Sequence, residues 1–195
     1  MRRLRLWIVL AIGVLGLASP VMAFDSSDTG TPSGSYRYEP TGCTNEPIAI
    51  PEPGEVGDLT LPSPTVTAID ESNTTPADVP TTSDVAQPIQ RAIACQNAGD
   101  ILRMLGNFTD RWIAERFSGY DLVFYGRFLE AAGSATPVPD DGQLALVSID
   151  VRIRADGAAL ATVVTNMNGQ EQTSLLVLIE TADGWKIDGG QLAGS

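Results

Sequence analysis

QLALVSIDVRIRADGAALATVVTNMNGQEQTSLLVLIETADGWKIDGGQL, residues 143–192, is the stretch whose reading decides the fold. Its first part alternates with period two. Ala145, Val147, Ile149, Val151 and Ile153 share one face, and Ser148, Asp150, Arg152 and Arg154 share the other. That pattern predicts a half-buried strand over Gln143–Ala155. Asp156-Gly157 tolerates the positive φ of a tight hairpin, and Ala159–Thr165 returns as the second strand. Asn166-Met167-Asn168-Gly169 makes a second turn. Thr173–Thr181 is a third strand with apolar residues on both faces, as in a strand covered on both sides. Asp183-Gly184 turns again into Trp185-Lys186-Ile187-Asp188. Turn signals at roughly ten-residue spacing favour an antiparallel meander of four strands over any βαβ arrangement.

Upstream of the meander the pattern is helical. Ser83 or Asp84 can cap a helix carrying Val85, Ile89, Ala92, Ile93 and Gln96, although Pro88 falls inside it and would also suit a first turn. Gly99 is the expected left-handed stop. Asp100 caps a short helix through Leu105, Thr109 or Asp110 caps a third over Arg111–Phe117, and Asp121 opens a fourth over Leu122–Ala132. The Phe and Tyr content of that last segment also allows a strand. The domain therefore reads as 83–195, an α+β unit with N-terminal helices packed on a curved four-stranded meander.

Before it lie two segments of other character. Residues 24–82 read as an acidic, Pro-rich linker, mostly extended or disordered. Nine of the 13 prolines fall between Pro40 and Pro88, and no Lys or Arg stands between Thr44 and Gln90. Residues 1–23 read as a secretory signal peptide. Arg2, Arg3 and Arg5 precede an apolar run over Leu6–Leu17, and Val21-Met22-Ala23 is a small-residue cleavage site. The run is short for a membrane span, so no stable membrane insertion is expected after cleavage; an uncleaved anchor is the other reading. Cleavage removes three of 12 basic residues and no acidic one, which takes the formal charge from -12 to -15. Such a surface repels phosphate backbones, so a nucleic acid is not an expected partner.

Export makes the two cysteines candidates for pairing. A Cys43–Cys95 disulfide would close a loop of about 50 residues and tether the linker to a helix, worth roughly 4 kcal/mol in the chain-entropy description. The other reading is a buried free Cys95 and an idle Cys43. Asn73-Thr74-Thr75 and Asn107-Phe108-Thr109 match the glycosylation acceptor pattern.

Cys95-Gln96-Asn97-Ala98-Gly99-Asp100, then Phe108-Thr109-Asp110, then a meander closing on Asp183-Gly184-Trp185-Lys186-Ile187-Asp188, resembles the nuclear transport factor two-like superfamily. That group contains the SnoaL-like cyclases, ketosteroid isomerase, scytalone dehydratase and limonene epoxide hydrolase. The resemblance covers Ser83–Leu192 and is nearest to exported bacterial members of unassigned function. It implies a cystatin-like α+β roll. Its helices close the sheet into a cone around a pocket, and homodimers form through the outer face of the sheet.

The resemblance alone implies no particular chemistry. Catalytic members work through an Asp base, often with His, Tyr, Arg or a second acid. This chain has no His, which removes the easiest general base near neutral pH and the commonest nitrogen ligand for zinc. No Gly-rich phosphate loop is present and no cofactor or metal is expected. Asn166–Glu171 only faintly echoes a calcium loop, and a hairpin turn accounts for it. If the polar face of the first strand lined the pocket, Asp150 would serve as base and Arg152 would polarise a substrate oxygen, similar to the Arg/Asp set of the epoxide hydrolases. The run of aliphatics on the opposite face argues instead that Asp150 and Arg152 face outward. Phe108, Trp112, Tyr120, Phe124, Tyr125 and Trp185 are candidate pocket walls, or equally core. Two functions follow. One is a non-catalytic exported module that binds a small apolar ligand or a protein partner. The other is a SnoaL-like lyase, isomerase or hydrolase using an Asp in the cone.

Overall fold

The computed structural model of the chain describes residues 36–50, 73–117 and 122–192. The expected signal segment 1–23, the middle of the linker, Tyr120 and the expected cap Asp121 lie outside the described residues. Among the described residues the architecture is α+β, with one antiparallel sheet of six strands and four α-helices. Two short strands come first, β1 (Tyr36–Arg37) and β2 (Thr74–Pro76). Helices α1 (Val79–Asn97), α2 (Ile101–Leu105), α3 (Asp110–Phe117) and α4 (Leu122–Ala132) follow. The meander is β3 (Ala145–Arg154), β4 (Ala159–Met167), β5 (Gln170–Thr181) and β6 (Gly184–Leu192).

The meander forms as its turn residues dictate. Gly157 and Gly184 take positive φ, and Asn168-Gly169 does so at both positions, the conformation a two-residue hairpin requires. β3, β4, β5 and β6 pair consecutively and antiparallel. The expectation of four strands and leading helices is corrected in two respects. The sheet has six strands, and the helices are not N-terminal, because β1 and β2 precede them. Both extra strands pair with β3, β1 against Ala145 and Leu146 and β2 against Arg152–Arg154. They come from the proline-rich stretch that reads as a linker. A strand edge left open presents unpaired N–H and C=O groups, so even two- or three-residue segments gain by pairing there.

A bulge corrects the alternation as well. The register shifts between Leu146 and Ser148, and an extra residue reverses which side chains face inward. Leu146, not Ala145 or Val147, is buried at the start of β3, while Val151 further along is buried as its parity predicts.

α1 begins earlier than its expected caps Ser83 and Asp84. Asp78 caps it, accepting from the Thr81 amide at 2.9 Å, with Pro80 in the first turn where a missing N–H costs nothing. That bond holds the Asp78 carboxyl below its usual 3.8. The helix continues through buried Pro88 rather than starting there. It stops where expected. Gly99 sits at φ 68°, its amide donates to the Gln96 carbonyl at 3.0 Å, and the Asp100 amide donates to the Cys95 carbonyl at 2.9 Å. A Cβ on Gly99 would stand 2.0 Å from the Thr136 carbonyl oxygen. Gly99→Ala therefore meets both a left-handed backbone and a backbone clash. It is expected to cost about 2–3 kcal/mol, read as a lowered denaturation midpoint at unchanged slope.

Two apolar cores result. Val85, Ile89 and Ile93 of α1 lie on Val151, Ala159, Ala161, Leu178 and Ile187 of the sheet. Ala159 and Ala161, both fully buried, keep the helix close to the strands. The second core joins Leu105, Ile113, Phe117 and Phe128 of the shorter helices to Cys43, Ile48 and Ile50. The segment after β1 thus acts as a strap across the helices. Its Ile48 amide donates to the Leu102 carbonyl at 3.3 Å and Asn45 Nδ2 donates to the Arg103 carbonyl at 2.8 Å. A Cys43–Cys95 disulfide bonds the strap to α1.

Candidate functional site

Asp150 is exposed, in the parity opposite to Ile149, Val151 and Ile153, which face α1. Arg152 shares its parity and is committed to β2. Its Nε donates to Thr74 Oγ1 at 2.6 Å and its Nη2 to the Thr74 carbonyl at 3.1 Å. The two side chains expected to act together are therefore a solvated carboxylate and a guanidinium holding an edge strand.

The aromatic candidates divide between the two cores. Phe108 and Trp112 stack at 4.4 Å between centroids, and Phe108 touches both cores. Trp185 packs on the sheet core. Tyr125 is buried in the helical core and its hydroxyl donates to the Ile50 carbonyl at 2.5 Å. Phe124, on the same helix, is 40% exposed. Tyr120 lies outside the described residues. The strap therefore occupies the polar tip that Tyr125 would otherwise offer a ligand.

Sequence reasoning quoted Thr109 and Asp188 but did not join them. The register of β5 with β6 shifts between Val177 and Leu178, which pair with Gly189 and Ile187. Asp188 is the unpaired residue, and the bulge turns its carboxylate to α3. Thr109 Oγ1 donates to its Oδ1 at 2.6 Å. Arg111 Nε donates to the same oxygen at 3.1 Å, and Nη2 donates to Oδ2 and to the Asp188 carbonyl. The side chains are only 18% and 11% exposed. Thr109 Oγ1 also accepts from the Trp112 amide at 3.1 Å, capping α3. This is a saturated bidentate pair that fastens α3 to the sheet. Both of its carboxylate oxygens are already occupied by Thr109 and Arg111.

Two buried asparagines are further hubs. Asn97 donates through Nδ2 to the Tyr38 and Leu144 carbonyls, and its Oδ1 accepts from the Leu144 amide at 2.9 Å, joining α1 to β3 and the β1 segment. Asn107, 2% exposed, donates to the Met104 carbonyl at 3.0 Å and accepts from Arg91 Nε at 3.2 Å. The burial that these bonds require removes Asn107 as a glycosylation acceptor in the folded chain, whereas Asn73 is exposed.

A cleft of about 230 Å³ lies on another side of α1, lined by Gln87, Gln90, Arg91 and Ala94 and faced by Tyr38 and Gly42. Burial, then the neighbouring Tyr36, holds the Tyr38 phenol above its ordinary 10.0, so it stays neutral at physiological pH. No group of three or more metal-ligating side chains is gathered among the described residues. No helix there is long and apolar enough to cross a membrane. No protein-family model, curated protein or solved structure matches the chain.

Proposed function

We propose that the chain is an exported, non-catalytic module of the nuclear transport factor two-like class that binds a small, largely apolar ligand or a protein partner. One observation carries this reading: the side chains suited to chemistry are committed elsewhere. Arg111 is held by Asp188, Arg152 by Thr74 and the Tyr125 hydroxyl by Ile50, while Asp150 projects into solvent rather than into a pocket. A cone-like closure is supported by α1 lying across one face of a meander with a bulge in β3 and another in β6. Export is supported by the disulfide, which persists in oxidising compartments, and by the charged and apolar pattern of residues 1–23.

The test combines native mass spectrometry of the chain purified from its own host with turnover assays for epoxide hydration, dehydration and double-bond isomerisation. The expected result is a chain of mature mass with one internal disulfide, carrying a retained small molecule or a partner chain, and no turnover above buffer. A bare chain, or a turnover that Asp150→Asn abolishes, overturns the reading.

A further inference from the structure

We propose that the cleft between Tyr38 and α1 is a binding site for a small organic anion, a carboxylate on a compact apolar body, with its charge seated on Arg91. This rests on the module being a ligand binder and assigns the ligand's chemistry and its place. Gln87, Gln90, Arg91 and Ala94 fall at i, i+3, i+4 and i+7, one stripe of α1. The stripe of Val85, Ile89 and Ile93 is the one spent on the sheet. The hollow exists because two small residues meet at its floor: a Cβ on Gly42 would stand 3.3 Å from the Ala94 Cβ. The Tyr38 ring and the Ala94 methyl give it apolar walls.

The polar end is pre-set. Arg91 Nε is taken by Asn107 Oδ1 at 3.2 Å, and Asn107 is itself pinned by its bond to the Met104 carbonyl at 3.0 Å. That fixes the guanidinium while leaving both terminal nitrogens unbonded to any described residue. No described carboxylate lies within ion-pair distance of Arg91, in a chain with 24 acids and 12 bases. A held guanidinium fork matches a carboxylate in its two-bond geometry and loses little freedom on binding. The Gln90 amide stands one residue before Arg91 as a further polar contact. The nearest acid along the helix, Asp84, accepts from Gln87 Nε2 at 3.3 Å. The volume of about 230 Å³ is below the roughly 300 Å³ at which drug-sized sites begin, so the ligand is small. One cation against apolar walls favours a monoanion with an apolar body over phosphate, and the acidic surface repels polyanions.

The test is a heteronuclear NMR titration of the full mature chain with benzoate, its neutral isostere benzamide, and inorganic phosphate. Saturable shifts confined to the Gly42, Gln90, Arg91 and Ala94 amides are expected with benzoate. Benzamide should bind at least tenfold more weakly, and phosphate should not saturate. Arg91→Gln should weaken benzoate tenfold or more and leave benzamide unchanged. If Arg91→Gln fails to fold through loss of the Asn107 bond, Gln90→Glu supplies the same test by repelling the anion from the rim. Equal binding of benzoate and benzamide, equal binding of phosphate, shifts elsewhere on the chain, or insensitivity to both variants overturns the proposal. A ligand retained from the host while benzoate misses the cleft sinks this site and leaves the module reading standing. Benzoate seated on Arg91 in a chain that shows a turnover abolished by Asp150→Asn upholds this site and sinks the non-catalytic reading.

Discussion

Asp188→Asn is expected to destabilise the chain by about 3 kcal/mol, in the range found when one partner of a buried ion pair is removed. The magnitude follows from what remains. Arg111 is only 18% exposed, and its Nε and Nη2 both point at Asp188. With the carboxylate neutralised, the guanidinium keeps its burial and loses its counter-charge. Glu115, on the same helix at 3.1 Å, is the other described acid in ion-pair contact with Arg111, and it is 58% exposed and screened by water. Asparagine keeps one acceptor oxygen where the carboxylate had two, so it cannot serve both the Thr109 hydroxyl and Arg111 Nη2, which loosens the start of α3. A drop of roughly 10 °C in melting temperature is expected. The double variant Arg111→Met with Asp188→Leu should cost less than either single change, because it removes the charge and its partner together. A loss under about 1 kcal/mol for Asp188→Asn would place the pair with ordinary surface salt bridges and remove the argument that it fastens the helices to the sheet.

That pair also shows where reading the sequence stops. Local signals carried far. Hairpin residues at Asp156-Gly157, Asn168-Gly169 and Asp183-Gly184 located the turns of the meander, and Gly99, Asp100 and Thr109 marked helix ends that the structure uses. Each depends only on residues a few positions apart. Arg111 and Asp188 are 77 positions apart, and no periodicity connects them. The bulges hide for a related reason. Ala145 and Val147 are as apolar as Leu146, so the alternation continues on paper across the point where the backbone gains a residue. β1 and β2 are too short to display a period at all. They exist because β3 has an open edge, not because Tyr36-Arg37 or Thr74-Thr75-Pro76 prefer extension strongly. The candidate cleft was illegible from the same cause. Arg91 reads as a surface helix residue until Asn107 and Tyr38 are brought beside it by the turn after α2 and by the β1 segment.

Removing the disulfide by Cys43→Ser with Cys95→Ser is expected to cost about 4 kcal/mol, because the bridge spans 52 positions and denies that loop to the unfolded chain. At constant denaturation slope this shifts the midpoint, and the melting temperature falls on the order of 15 °C. The native contacts of the strap do not compensate. Between Cys43 and Ile50 the strap is held to other described residues by three hydrogen bonds, from the Ile48 amide, from Asn45 Nδ2 and to the Ile50 carbonyl, plus the burial of Ile48 and Ile50 against the helices. A net hydrogen bond is worth about 1 kcal/mol, so these contacts are comparable with the entropy of ordering the segment. The reduced chain should therefore lose the strap first. Hydrogen exchange at the Ile48 amide should accelerate well ahead of Val163 or Leu178 in the sheet core, and Tyr125 should become accessible as its acceptor leaves. Uniform acceleration across the sheet and helices would mean that the bridge acts only through the unfolded state. Unchanged stability would mean that the strap holds the helical core without it.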